Sequence, residues 1–333
     1  MVLPFEYDLP EAAIAQVPVE PRSAARLLVH LQGPAPEHRS VSDLPQLVGP
    51  GDVLVVNDTR VLSARLRLHK ATGGRVEVLL VEPLGEGAWS ALVRPGRRLP
   101  PGTELLHSDG AVVAEVGRPM EDGLRQVQLH GELDDLADVA EVPLPPYIHQ
   151  RLADPERYQT VYANHPGSVA APTAGLHLTS EVLAACRSAG ADVAAVDLAV
   201  GIGTFRPMTA ERVEDHTMHE ERYRVPAETM AAVEAASRVI AVGTTTVRAL
   251  ESAAGTGSLE GRTGLFIRPG FVFRAVDVML TNFHLPRSSL LVMLEAFYGP
   301  GWRELYATAL AGGYRFLSFG DATLVARGAG HHS

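Results

Sequence analysis

Imidazoles, hydroxyls and amides gather in a few short runs of this sequence, and each run has the groups to move a proton or grip a polar ligand. The run "GSVAAPTAGLHLT", Gly167 to Thr179, sets one imidazole, His177, among small residues. Ser168, Thr173 and Thr179 offer short hydrogen-bond donors there, and Gly175 frees the chain to turn. "DHTMHEE" places Asp215, His216, His219 and Glu221 within seven residues. That run reads as an acid–base or ligand-contacting cluster, as a His-x-x-His chelate if helical, or as a surface loop with satisfied histidines. It is not the H-E-x-x-H zinc pattern and offers no assigned third ligand, so no metal is assigned. "NDTR" adds Asn57, Asp58 and Arg60; "GIGTF" adds Gly201, Gly203 and Thr204; "GTTTVR" adds Thr244, Thr245 and Arg248; "TNFHLPRSS" adds Asn282 and His284. Each follows an apolar run, where glycine and hydroxyl donors let a backbone approach a ligand closely. Any strand-to-helix turn also uses such residues. "GIGTF" lacks the third glycine of the dinucleotide fingerprint and "GTTTVR" lacks the Walker lysine, so neither NAD nor ATP is indicated.

The elements that must carry these runs alternate strand and helix. "VLVV" reads as a buried strand delivering "NDTR" at its carboxyl end, where loops of α/β folds hold ligands. From about residue 151 the pattern repeats. "ADVAAVDLAVGIGTF" is a strand running into a Gly-rich turn, "PAETMAAVEAASR" a helix, and "VIAVGTTTVRALESAA" strand, loop and helix. "VDVMLTNFHLP" is strand then loop, "SSLLVMLEAFYG" a helix, and "ELYATALAGGYRFLSFGDATLV" a helix and a strand. "TSEVLAACRSAG" has a hydroxyl cap, an early acid and a closing glycine, as a helix should. Residues 67–150 differ: short strand-like runs at even spacing, separated by Gly, Pro or Asp turns, suggest a small barrel or sandwich. The expectation is an α/β domain (1–66 and 151–327) split by an inserted β domain (67–150), with "EVPLPPYI" an extended linker and 328–333 a disordered tail.

Charge narrows the partners. The 333 residues carry a net charge of −10, which argues against coating a duplex but not against gripping one RNA loop at a local basic patch. Two patches qualify. Arg94, Arg97 and Arg98 surround a turn in the β insert, as a phosphate clamp or a solvated turn. Arg157 and Tyr158 of "RYQTVYA", with Tyr162, form a basic–aromatic mix able to stack on a base. The single cysteine, Cys186, excludes an intrachain disulfide, and its setting reads as a helix face, which favours a buried or idle thiol over a nucleophile. No apolar run approaches the roughly 18 residues of a membrane span, and the first residues lack a signal-peptide pattern, so a cytoplasmic protein is expected.

Seven runs in order carry a family resemblance: "YDLPEAAIAQVPVEPRSAARLLV", "GDVLVVNDTRVLSARL", "RYQTVYANHPGSVAAPTAGLHLT", "GIGTFRPM", "HTMHEE", "VGTTTVRALES" and "TNFHLPRSSLL", with "YRFLSFGDATLV" near the C-terminus. Together they closely resemble the S-adenosylmethionine:tRNA ribosyltransferase-isomerases of queuosine biosynthesis, over essentially the whole chain. The resemblance implies an α/β domain with an inserted small antiparallel β-barrel. It implies S-adenosylmethionine as co-substrate, giving up its ribosyl part to 7-aminomethyl-7-deazaguanine at the tRNA wobble position. The products are epoxyqueuosine in tRNA, adenine and methionine. The chemistry asks for acid–base groups in a dry pocket and no metal or redox cofactor, in a chain expected to act as a monomer. His177, His216, His219, Glu221 and His284 are then the acid–base candidates, with Asp58 and Arg60 as polar anchors. The chain departs from the family pattern at Ala199, where histidine is usual, and at Leu178, Thr323 and Ala25, where an aromatic residue, methionine and serine are usual. The acidic net charge and Ala199 motivate an alternative, an S-adenosylmethionine-cleaving ribosyltransferase serving a different, small-molecule acceptor.

Overall fold

The structure, a computed structural model, describes residues 5–96, 99–131, 133–136, 138–201, 208, 213–216 and 218–330. The chain divides into two compact units: Met1–Arg60, Pro145–His165 and Ala171–Ser333 form one, Val61–Leu144 and Pro166–Ala170 the other.

In chain order the strands are β1 (Arg26–His30), β2 (Glu37–Ser40), β3 (Asp52–Asn57) and β4 (Thr59–Val61); then β5 (Arg65–His69), β6 (Arg75–Gly85), β7 (Ala88–Arg94), β8 (Thr103–Leu106), β9 (Val112–Pro119), β10 (Arg125–Leu129) and β11 (Ala140–Glu141). After β12 (His165–Ser168) come β13 (Asp192–Leu198), β14 (Glu221–Arg224), β15 (Arg238–Val242), β16 (Glu260–Thr263), β17 (Val278–Asn282) and β18 (Ala322–Ala326). The helices are α1 (Ser180–Ser188), α2 (Ala227–Ala235), α3 (Thr244–Thr256), α4 (Ser289–Tyr298) and α5 (Trp302–Ala311).

The first unit is built on a nine-stranded sheet, ordered β16-β14-β13-β3-β15-β17-β18-β1-β2. Its centre, β13-β3-β15-β17, is parallel throughout. A parallel strand covered on both faces should read as a continuous apolar run, and all six residues of β3 are buried. Leu54, Val56, Ile240, Val242 and Leu280 pack there with Leu178, Val182 and Leu183 from around α1. Local chemistry sets the helix starts. Thr179 Oγ1 accepts from the Val182 amide at 3.2 Å to open α1, and Ser288 Oγ accepts from Leu291 at the same distance to open α4. Only Gly243 separates β15 from α3; it adopts φ +91°, where a side chain would be strained, so the expected loop is a one-residue corner.

The second unit is the antiparallel barrel. β5-β6-β7-β10-β9-β8 run in order, His69 pairs with Leu106 to close β8 onto β5, and β11 adds to β5. Alternate residues such as Leu66, Leu68, Val76, Val78 and Leu80 are buried, the period of two that fills a small barrel. Arg125 reaches from β10 to the carbonyls of Gly96 and Leu99 and so pins the turn after β7.

Of the segment 328–333 expected to be a disordered tail, residues 328–330 are ordered, and 331–333 lie outside the described residues. The amides of Gly328 and Gly330 donate to Phe297 and Tyr298, and the Gly330 carbonyl accepts from Gly301. Among the described residues no helix is long and apolar enough to cross a membrane.

Candidate functional site

β3, β13, β15 and β17 all point the same way, so their carboxyl ends, at Asn57, Leu198, Val242 and Asn282, lie along one edge of the sheet. That edge is where open α/β sheets bind ligands. A solvent-open cleft sits there. Thr173, Thr244, Thr245, Asn282 and His284 line it, together with Tyr147 and Ser318. Those first five residues come from three of the runs singled out by sequence, brought together by strand order.

His284 is held from both sides of its peptide: its amide donates to Tyr306 Oη at 2.9 Å and its carbonyl accepts from Tyr7 Oη. Its Nε2 lies 3.1 Å from Thr281 Oγ1. Burial pushes its pKa down to about 3. At neutral pH it is a neutral imidazole with one donor and one acceptor nitrogen, able to take or give a proton. Tyr147 Oη lies 2.7 Å from Ser318 Oγ; burial pushes its pKa up to about 12, so the phenol keeps its proton.

Asn282 is the polar centre of the cleft wall. Its Oδ1 accepts from Thr173 Oγ1 at 3.0 Å, and its Nδ2 donates to His177 Nε2 at 2.9 Å and to the Leu317 carbonyl at 3.2 Å. His177 does not itself line the cleft. Burial first, and then the charges of Arg315, Arg157 and Arg22, push it down to about 4. It is neutral, with Nε2 as acceptor, and its place is behind Asn282 rather than at a reacting atom.

Glu221 is not a free base. Its Oε1 accepts from the Gly201 amide at 2.8 Å and its Oε2 pairs with Arg248 Nη1, both side chains buried. Arg248 also donates to the carbonyls of Leu265 and Thr263. The pair spans 27 residues of sequence and fixes the start of the "GIGTF" loop. Asn57, fully buried, is likewise consumed inside: its amide bridges Leu198 and Thr245 Oγ1, and its carbonyl accepts from Leu198 and Thr59. It ties three strand ends together and leaves no group for a ligand.

Asp58 and Arg60 face elsewhere. Asp58 contacts His165 Nδ1 at 3.1 Å, its pKa raised by burial against the opposing pull of that histidine, and Arg60 pairs with Glu156 at 2.7 Å. Gly175 is a packing glycine: a Cβ there would sit 2.0 Å from the Tyr162 hydroxyl. Ser168 belongs to the barrel unit, fully buried, its carbonyl accepting from Leu62. His216 is half-buried edge-on to Phe266, 5.3 Å between centroids, and its pKa is lowered by burial and then by His219. No helix runs through the described part of 216–220, so the helical chelate spacing does not arise, and no cluster of three His, Cys, Asp or Glu able to hold a metal exists among the described residues.

Of the RNA-contact candidates, Arg94 is exposed on the barrel unit. Tyr158 is completely buried, edge-on to Phe319 at 6.0 Å, so no face is open for a base to stack on. Arg157 turns inward to the Val19 carbonyl and Glu20. Gly203, Thr204, Arg97 and Arg98 lie outside the described residues.

The family departures are mostly core positions. Leu178 and Ala25 are buried in the main hydrophobic cluster, and Thr323 Oγ1 donates to the Leu28 carbonyl at 2.7 Å. Leu178 is therefore not a wall of the cleft. Ala199 continues the strand edge, its amide donating to Arg222 at 2.9 Å. Sequence reasoning missed Tyr147 and Ser318. Tyr147 lay in a proline-rich stretch read as a linker, and its only signal was an aromatic residue where a linker needs none.

Residues 2–325 match the family described as queuosine biosynthesis protein. A protein of Thermus thermophilus named S-adenosylmethionine:tRNA ribosyltransferase-isomerase is 50% identical over 340 residues, covering 96% of this chain and 98% of that one. One of Moorella thermoacetica with the same name is 48% identical over 339 residues, with the same coverage of both. The crystal structure of an S-adenosylmethionine tRNA ribosyltransferase from Thermotoga maritima is 36% identical, with a TM-score of 0.56 over 97% of this chain and 99% of that one. With matches of this length on top of a shared fold, the chain belongs to the queuosine biosynthesis protein family.

Proposed function

We propose that this protein transfers and isomerises the ribosyl moiety of S-adenosylmethionine onto 7-aminomethyl-7-deazaguanine at the wobble position of tRNA, releasing adenine and methionine. The observation that carries this is the cleft at the carboxyl ends of four parallel strands, walled by hydroxyls, by Asn282 and by a neutral His284. Near-50% identity to full-length relatives bearing that activity's name supports the choice of reaction.

The chemistry makes definite demands. The sulfonium acidifies the C5′ protons, so a base must take one. The acceptor amine must attack in its neutral form and then lose a proton. Adenine departs with one proton, methionine leaves as a neutral thioether, and one net proton goes to solvent as the sulfonium charge disappears. His284, neutral with its pKa pushed down to about 3, is a weak base on its own. Its part is to hydrogen-bond the nucleoside and meet a proton as it moves rather than to store it, and the Tyr147 and Thr281 hydroxyls orient polar groups of the nucleoside. Water displaced from the cleft by bound substrate strengthens each of these contacts. In this reading the enzyme works in the cytoplasm as a monomer, with S-adenosylmethionine as co-substrate and no metal or redox cofactor.

The test is adenine release. Incubation with S-adenosylmethionine and tRNA carrying the aminomethyl base is expected to yield adenine, and small free amines are not expected to substitute. Adenine with small amines but not with tRNA would replace this reading by that of a small-molecule ribosyltransferase. No adenine with either would end both.

A further inference from the structure

A second, smaller pocket lies behind the cleft wall, lined by Arg22, Arg157, His177 and Ser318, with Pro18, Val19, Leu176 and Phe319 around them. We propose that it is a phosphate site, and that its occupant is a phosphodiester of the tRNA backbone.

Three features carry the inference. The first is charge. Arg22 donates to the carbonyls of Gln159, Leu176 and Glu156 and, among the described residues, bonds no carboxylate. Arg157 Nη1 is buried without a partner among those residues, although its other end reaches Val19 and Glu20. The two guanidiniums repel each other; Glu20, Asp154 and Glu156 offset part of this at Arg22 from the more exposed side, and Arg is the side chain best shaped to take a phosphate oxygen in addition. The second is the donor left on His177. Its Nε2 accepts from Asn282, so the neutral ring carries its proton on Nδ1, and the ring lines this pocket rather than the cleft. The charges that act on that ring are those of Arg315, Arg157 and Arg22, and they favour an anion beside it even though Arg157 pairs with Glu20 and Arg315 lies 3.8 Å from Asp321.

The third feature is that the pocket shares two hydrogen-bonded walls with the cleft. His177 bonds Asn282, and Ser318 bonds Tyr147 at 2.7 Å. An anion held here stiffens the two cleft groups that face the nucleoside. The protein is acidic overall, so RNA affinity has to be concentrated at a few such sites rather than spread over the surface.

The inference rests on the tRNA reading, but its first test needs no turnover. Protein labelled with 15N-histidine is titrated with inorganic phosphate at constant pH and ionic strength, the His177 resonance being identified by its loss in His177→Gln. A saturable shift is expected in the unaltered protein and its absence in Arg157→Met and in Val19→Phe, which fills the pocket but keeps both guanidiniums. If Arg157→Met does not fold, Val19→Phe carries the test. In parallel, tRNA binding is followed by fluorescence anisotropy against salt. Loss of one phosphate contact should flatten the slope of log affinity against log salt by about 0.7–0.9 in each folded variant. No saturable shift, or a shift that survives both variants, overturns the site. A shift lost with the salt slope unchanged overturns the RNA assignment and leaves a site for free phosphate.

Discussion

Asn282 Nδ2 donates to His177 Nε2 at 2.9 Å, and this bond makes the histidine a positioning residue for the cleft wall. Both Asn282 amide hydrogens and its oxygen are engaged, so the side chain has one orientation, and His177 is what selects it.

Replacing His177 by alanine leaves a buried amide hydrogen unpaired, at a cost of about 1–3 kcal/mol. His177→Gln keeps an acceptor oxygen in the same direction. Chemical denaturation is expected to show the alanine loss and its partial recovery in the glutamine variant, with turnover following stability. A residue that itself shuttles a proton would leave glutamine as inactive as alanine.

Acid should destabilise the fold through two histidines. Both His177 and His284 are pushed below the ordinary value, to about 4 and about 3. The unfolded chain therefore binds more protons than the folded one once pH drops below about 6.5. Their stabilisation is complete above that pH and is lost as pH falls toward 4, by an amount on the order of 3 kcal/mol for each. Urea midpoints at pH 7.5, 6 and 5 should fall in that order. In His284→Phe the fall should shrink; an unchanged fall would place the cause elsewhere.

The Glu221–Arg248 pair should behave as a buried ion pair. Glu221→Gln strands the arginine and should cost about 3–5 kcal/mol, whereas Glu221→Gln combined with Arg248→Met should recover much of that loss. The double-mutant cycle, measured by denaturation, reports the coupling. Additive effects would mean that the two residues do not act as a pair.

Gly175→Ala should clash with the Tyr162 hydroxyl and destabilise by about 1–3 kcal/mol. Tyr162→Phe removes a buried hydroxyl that has no partner among the described residues, so alone it should be neutral or stabilising, and it should relieve part of the Gly175→Ala penalty. Thermal midpoints of the three variants decide this; a Tyr162→Phe as damaging as Gly175→Ala would give the hydroxyl a role that packing does not explain.

These relationships mark what the sequence made legible. Strand-to-turn junctions announce themselves, because an apolar run followed by glycine and hydroxyls has few other uses; Thr173, Thr244, Thr245, Asn282 and His284 were found that way and meet in one cleft. Partner choice is not local and stayed hidden. Glu221 reads as a free acid until Arg248, 27 residues away, closes on it, and Asn57 reads as a ligand group until Leu198 and Thr245 take both ends of its amide. The small-residue run ending in His177 reads as a ligand wall. Its first half, Ala171 to Ala174, does line the cleft; its second half closes a 3-10 turn at Thr173–His177, where Gly175 makes room for Tyr162 and the histidine lines the smaller pocket instead. Burial was likewise invisible at Tyr158, since a basic–aromatic run looks the same whether its ring is out or in.

The most direct measurement is the mass of the wobble nucleoside after reaction. The protein, S-adenosylmethionine and tRNA carrying 7-aminomethyl-7-deazaguanine are incubated together, the tRNA is digested, and the nucleoside is weighed while free adenine is counted. The account predicts a gain equal to the isomerised ribosyl group, one adenine per modified nucleoside, and loss of both in His284→Phe. Unmodified nucleoside beside released adenine, or full activity in His284→Phe, would contradict it.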